Sequence, residues 1–107
     1  MITEKFANHI GYSDINPYEI VRVVSDQTIE IRQMDAELAN KEDLKHVPGG
    51  FSGVCVNQGA QEWNITSNEA YKVERIRFSK AKNRWQSKGG NRFVLSDAPR
   101  KFYDFNF

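Results

Sequence analysis

Apolar residues in this chain recur mostly at every second position, and clusters of Gly, Asn, Asp and Ser interrupt them at short intervals. This alternation is typical of half-buried β-strands separated by turns. It predicts seven short antiparallel strands, at residues 18–24, 28–33, 51–57, 62–66, 71–79, 84–88 and 92–95. Such strands must curl or fold over to bury one face, so we expect an all-β domain, a partly open SH3-like barrel or a compact sandwich.

The first two strands should form a hairpin whose register follows from charge. A loop of three residues, 25–27, would put Val21, Val23, Ile29 and Ile31 together on the buried face and set Arg22 opposite Glu30 on the outer face. An even-numbered loop would bury Arg22 beside Ile31, and burying an unpaired guanidinium is strongly unfavourable. The pattern therefore favours the odd-numbered loop.

Both ends of the chain are predicted to lie outside these strands. Residues 1–17 form an N-terminal cap with at most a short helix, for which Thr3 is a candidate N-cap and Gly11 a candidate stop. The tail at residues 102–107 is rich in aromatic rings, each of which buries roughly 150–250 Å² when packed. It either closes one end of the barrel or docks on another chain, including a second copy. Its possible interface residues are Phe102, Tyr103, Phe105 and Phe107.

Composition limits the chain to one domain. Its 107 residues are 39% hydrophobic and 27% charged, which suits a single folded unit with one modest core. The lone cysteine, Cys55, has no partner for an internal disulfide and is expected to fill space within a strand. No secretory signal or long apolar stretch is present, so we expect a cytoplasmic protein that does not enter membranes.

Charge is distributed unevenly although the formal net charge is only +1. Residues 1–71 carry a net charge of −6, whereas residues 72–107 carry +7. Period-two alternation places Ile76, Phe78, Trp85, Phe93 and Leu95 inward, so the cations between them should share the outer face of three neighbouring strands. The predicted binding residues are Arg75, Arg77, Arg84, Lys88 and Arg92, extended at the rim by Lys80 and Lys82.

A basic sheet face of this kind predicts a non-catalytic binding module for an anionic macromolecule. The partner would be a nucleic-acid backbone or an acidic protein surface. The alternative is that the acidic N-terminal half neutralises these cations within the molecule. Because the aromatic residues of these strands point inward, they offer no stacking platform for bases, and contacts should go mainly to phosphates.

A second function class is a protein-interaction or inhibitory protein that uses the aromatic tail or an acidic loop. The loop residues are Asp35, Glu37, Glu42 and Asp43, although acidic residues in such a stretch are more commonly just a solvated charged loop. An enzyme is not predicted, because the sequence has no phosphate-binding glycine loop and no nucleophile motif. His9 and His46 are far apart in sequence, so no metal, cofactor or catalytic residue is assigned.

Two stretches carry a resemblance to known sequences. Residues 10–26, continued by Thr28-Ile-Glu-Ile-Arg32, and the segment Gly90-Asn-Arg-Phe-Val-Leu-Ser-Asp-Ala-Pro-Arg100 resemble small β-rich proteins of bacteria and their phages or plasmids. That family has no established activity or site to transfer. The resemblance implies the context of a bacterial cell or an infecting element, in which the second function class would include inhibition of a host defence system.

Overall fold

A computed structural model describes residues 2–49, 52–55 and 58–104 and gives an all-β domain. It contains nine strands: β1 (Phe6–Ile10), β2 (Ile15–Ser25), β3 (Thr28–Leu38), β4 (His46–Gly49), β5 (Ser52–Cys55), β6 (Trp63–Ser67), β7 (Val73–Ser79), β8 (Arg84–Gln86) and β9 (Arg92–Ser96). Two single-turn 3-10 segments lie at Lys41–Asp43 and Gln58–Ala60. In the described part of the chain, no helix is long and apolar enough to cross a membrane.

Six of these strands close into an antiparallel barrel, which confirms the predicted fold class. The order around the ring is β2, β1, β9, β8, β7 and β3, and the pairing of β3 with β2 closes it. A closed ring leaves these strands with few free edges, which is how a small sheet protects its backbone groups. β6 is an additional strand on β3, and β4 and β5 form a separate hairpin.

Alternate side chains of the ring strands point into the barrel and form the core. Its fully or nearly fully buried members are Ala7, Ile29, Ile31, Ile76 and Phe93. Each ring strand apart from β2 and β8 contributes at least one of them, and those two strands add Tyr18, Ile20 and Trp85 around the cluster. Because the core draws on the whole ring, the inside and outside of each strand are fixed together.

The β2–β3 hairpin has the charge register that the sequence predicts. Arg22 lies opposite Glu30, although the turn itself has two residues, with Ser25 paired to Thr28. The register shift between Val23 and Ser25 restores the pairing that a three-residue loop would have given, and a second shift follows between Ile20 and Arg22. The same irregularity leaves Val21 and Val23 39% and 47% exposed, so the expectation that they share the buried face is wrong.

The N-terminal segment is a strand where the sequence suggested a short helix. β1 lies between β2 and β9 and pairs with both, and Ala7 at its centre is completely buried. The turn before β2 spans residues 11–14, where the Gly11 N–H donates to the Asp14 carbonyl at 2.9 Å. Strand pairing on both edges satisfies more backbone groups than two isolated helical turns would.

The polar stretch after residue 34, which the sequence predicts to be an acidic loop, is only partly a loop. β3 continues to Leu38 and pairs there with β6, from Met34 opposite Ser67 to Leu38 opposite Trp63. The 3-10 turn at Lys41–Asp43 follows, and β4, which the sequence did not predict, pairs with β5. β5 lies within the predicted 51–57 strand, whose residues 51, 56 and 57 are outside the described residues.

The first half of the aromatic tail lies against its own chain. Phe102 forms a two-way backbone bridge with Ile15 at the start of β2. The side-chain amide of Gln61 accepts the Tyr103 N–H at 3.0 Å and donates to the Tyr103 carbonyl. Phe105 and Phe107, the other two residues predicted as a possible interface, lie outside the described residues.

Candidate anion-binding face

The outer surface of β7, β8 and β9 carries a row of polar and cationic side chains. Arg77 pairs with Gln86, and Gln86 pairs with Arg92, so these three side chains follow one line across the strands. Ile76 is 1% exposed and Phe93 is 4% exposed, which places the residues that alternate with them on the outside. We call the surface formed by Arg75, Arg77, Arg84, Lys88 and Arg92 the basic face.

Three of the predicted cations lie on turns at the rims of the basic face. The β7–β8 turn carries Lys80 and Lys82 and is made possible by Asn83, whose φ of 51° is in the left-handed region. The β8–β9 turn carries Lys88 and contains Gly90 at a φ of 90°. Lys88 therefore lies just beyond β8, although the sequence placed it within that strand. Of the seven predicted cations, Arg84 is half-buried and the other six are exposed.

A groove of about 560 Å³ lies within the basic face, along β7 and the end of β8. Its lining residues are Arg75, Arg77, Phe78, Ser79, Gln86, Ser87 and Lys88. The volume falls within the usual range of ligand-binding clefts. Sequence reasoning named the three cations but missed the serines and Gln86. The alternation of β8 could have identified Gln86, whereas nothing local indicated a groove.

One carboxylate of the same chain neutralises part of the basic face. Glu30 lies between Arg22 and Arg75 in neighbouring strands, with N···O distances of 3.7 and 3.1 Å. Within the described residues, no ion pair is found for the other six predicted cations, Arg77, Lys80, Lys82, Arg84, Lys88 and Arg92. In the described part of the chain, ion pairing of the predicted cations with the acidic half is thus confined to Arg75.

The acidic residues singled out by the sequence lie elsewhere. Asp35 and Glu37 are exposed on the part of β3 that continues beyond its pairing with β7, where β6 is the neighbour. Glu42 and Asp43 are exposed in the 3-10 turn that follows. The Asp35 carboxylate accepts a hydrogen bond from Asn68. The two charge populations are therefore segregated along the molecule.

His9 is a packed residue of the barrel. Its ring lies 5.4 Å from the Phe93 ring and 6.5 Å from the Tyr18 ring, measured between centroids. Burial lowers the pKa of His9, and the opposing effect of Glu74 is smaller. Among the described residues, no group of three or more His, Cys, Asp or Glu side chains could hold a metal ion.

The chain matches no protein-family model, none of the curated proteins and none of the solved structures at a significant level. The residues and their arrangement are therefore the basis on which its function is proposed.

Proposed function

We propose that this protein is a non-catalytic binding module whose basic face engages the phosphate backbone of a nucleic acid. The observation that carries the proposal is the set of six exposed or half-exposed cations for which no ion pair is found among the described residues. Contacts of this kind depend on charge and give sequence-independent binding.

Phosphates suit this face better than the carboxylates of a protein. Arg75 and Arg77 are two residues apart on one strand, so their positions are separated by about 7 Å, a spacing that successive phosphates of an extended strand can match. The groove between them adds neutral hydrogen-bonding side chains from Ser79, Ser87 and Gln86. Arginine and neutral polar groups together are the usual partners of phosphate oxygens.

Salt dependence tests this proposal. For about five phosphate contacts, the slope of log K against log salt should be about −3.5 on a single strand and about −4.5 on a duplex. The measurement is fluorescence anisotropy with a labelled oligonucleotide at several salt concentrations, with poly-glutamate of equal charge as competitor. At equal concentrations of negative charge, poly-glutamate should compete at least tenfold more weakly than unlabelled oligonucleotide. Salt-independent binding, or equal competition by poly-glutamate, would contradict the proposal.

Removing Glu30, the carboxylate that pairs with the basic face among the described residues, should strengthen binding. Glu30→Gln frees both Arg22 and Arg75 from a carboxylate and should tighten oligonucleotide binding by about fivefold at low salt, the effect of one unit charge at contact distance in water. The free energy of unfolding should change by less than about 1 kcal/mol because Arg22 and Arg75 are well exposed. The matched control is Glu37→Gln, which also removes one negative charge but at a position outside the basic face. Equal tightening by both variants would show an effect of net charge alone.

A further inference from the structure

We infer that the basic face takes single-stranded nucleic acid, with Tyr12 as a platform on which an unpaired base stacks. This inference rests on the proposed function and adds the class of nucleic acid. It departs from the sequence-based expectation, which found no stacking residue because it considered only the strands of the face.

Tyr12 is 94% exposed, far more than any other exposed large apolar side chain in the described residues. It follows Gly11 in the tight turn between β1 and β2, which the hydrogen bond from Gly11 to Asp14 closes. The turn therefore fixes the backbone of Tyr12 while its ring projects into solvent. A tyrosine ring has only two side-chain torsions, so it offers a large contact area at a small cost in conformational entropy.

The register of the barrel places this ring at the edge of the basic face. Ile10 at the end of β1 pairs with Arg92 at the start of β9. Tyr12 follows Ile10 by two residues and therefore lies just past Arg92, at the same rim of the barrel. The β8–β9 turn, which carries Lys88, leaves the barrel at that rim as well. The nearby carboxylate of Asp14 accepts the Asp104 N–H at 2.7 Å and is thus engaged by the tail.

This arrangement favours an unpaired strand over a duplex. Every base presents a π-face to an aromatic side chain, but only when it is free of its stacked neighbours. A strand with its phosphates on Arg77, Lys88 and Arg92 can turn one base onto Tyr12 at the rim. In a duplex the bases are stacked inside, so Tyr12 would contribute little to binding.

The test compares three probes of about ten nucleotides: oligo-dT, the same strand in a duplex, and an abasic strand with the same number of phosphates. Tyr12→Ala should weaken binding of oligo-dT by about tenfold and leave binding of the abasic strand within twofold. Tyr12→Phe should retain the affinity for oligo-dT. Tyr103→Ala, which removes a ring that is 47% exposed on the tail, is the control and should have no effect.

The outcomes separate this inference from the proposed function. An equal loss for oligo-dT and the abasic strand, no loss with Tyr12→Ala, or tighter binding of the duplex overturns the role of Tyr12 while phosphate binding by the basic face stands. Failure of the unmodified protein to bind any of the three probes overturns both.

Discussion

Replacing Arg77, Lys88 and Arg92 together with glutamate is expected to lower the affinity for a single-stranded oligonucleotide by roughly a hundredfold or more. Each substitution removes a contact to phosphate and introduces repulsion. The three side chains are exposed, and in the described residues none of them forms an ion pair, so no carboxylate loses its partner. The melting temperature should fall by no more than about 7 °C, since exposed substitutions are each worth about 0.5 kcal/mol or less.

Arg75 is left unchanged in this variant for a physical reason. It lies directly opposite Glu30, so a glutamate there would place two like charges across neighbouring strands and destabilise the sheet. Lost binding could then reflect a damaged fold. The remaining cations of the face keep their native geometry in the triple variant.

The control for the triple variant carries the same change of net charge outside the basic face. Lys5, Lys45 and Arg100 are exposed and belong neither to β7, β8 and β9 nor to the groove. Their replacement with glutamate should weaken binding less than tenfold, through long-range electrostatics alone. Anisotropy titrations and thermal melts of the two variants side by side provide the measurement. A similar loss of affinity in both variants would contradict a localised site.

The alternation of apolar residues predicted the later strands well because it reflects a requirement of the barrel. On β7 and β9, one face has to fill a closed interior, so the positions of Ile76 and Phe93 determine where their charged neighbours point. Charge also predicted the pairing of Arg22 with Glu30. The pairing depends on a register shift between Val23 and Ser25, next to a turn shorter than predicted, and residue types alone do not specify that shift.

The elements that sequence reasoning missed depend on partners distant in the chain. β1 is stabilised as a strand by β2 on one side and by β9, more than eighty residues later, on the other. Its local pattern, with Phe6 and Ile10 four residues apart, fits a helix equally well. The continuation of β3 beyond Met34 likewise requires β6 as a neighbour. Closure of the ring by β2 and β3 is a property of the whole chain.

The candidate site shows the same division between local and long-range information. The cations of the basic face could be named from the pattern, whereas the structure was needed to show that, among the described residues, Arg75 alone of them pairs with a carboxylate. Tyr12 carried no signal in the sequence, because a tyrosine between Gly11 and Ser13 in a turn suggests neither burial nor binding. Its relation to the basic face follows from the pairing of Ile10 with Arg92.

Ile76→Ala should cause the largest loss of stability of any variant considered for this protein. Ile76 is 1% exposed and belongs to the barrel core with Ile29, Ile31 and Phe93. Truncating such a side chain leaves a cavity and costs about 2–5 kcal/mol, a large share of the roughly 5–15 kcal/mol that stabilises a domain of this size. The expected fall in melting temperature is about 10–20 °C.

Val73→Ala provides a matched control on the same strand, since Val73 is 44% exposed and its truncation should cost about 0.5 kcal/mol or less. Urea unfolding of both variants gives the two free energies.

Below its melting transition, Ile76→Ala should bind oligonucleotide within about twofold of the unmodified protein, because Arg75 and Arg77 keep their outward positions as long as the strand is paired. Equal stability of the two variants would show that Ile76 does not anchor the barrel core, and the alternation that directs the cations of β7 outward would lose its basis.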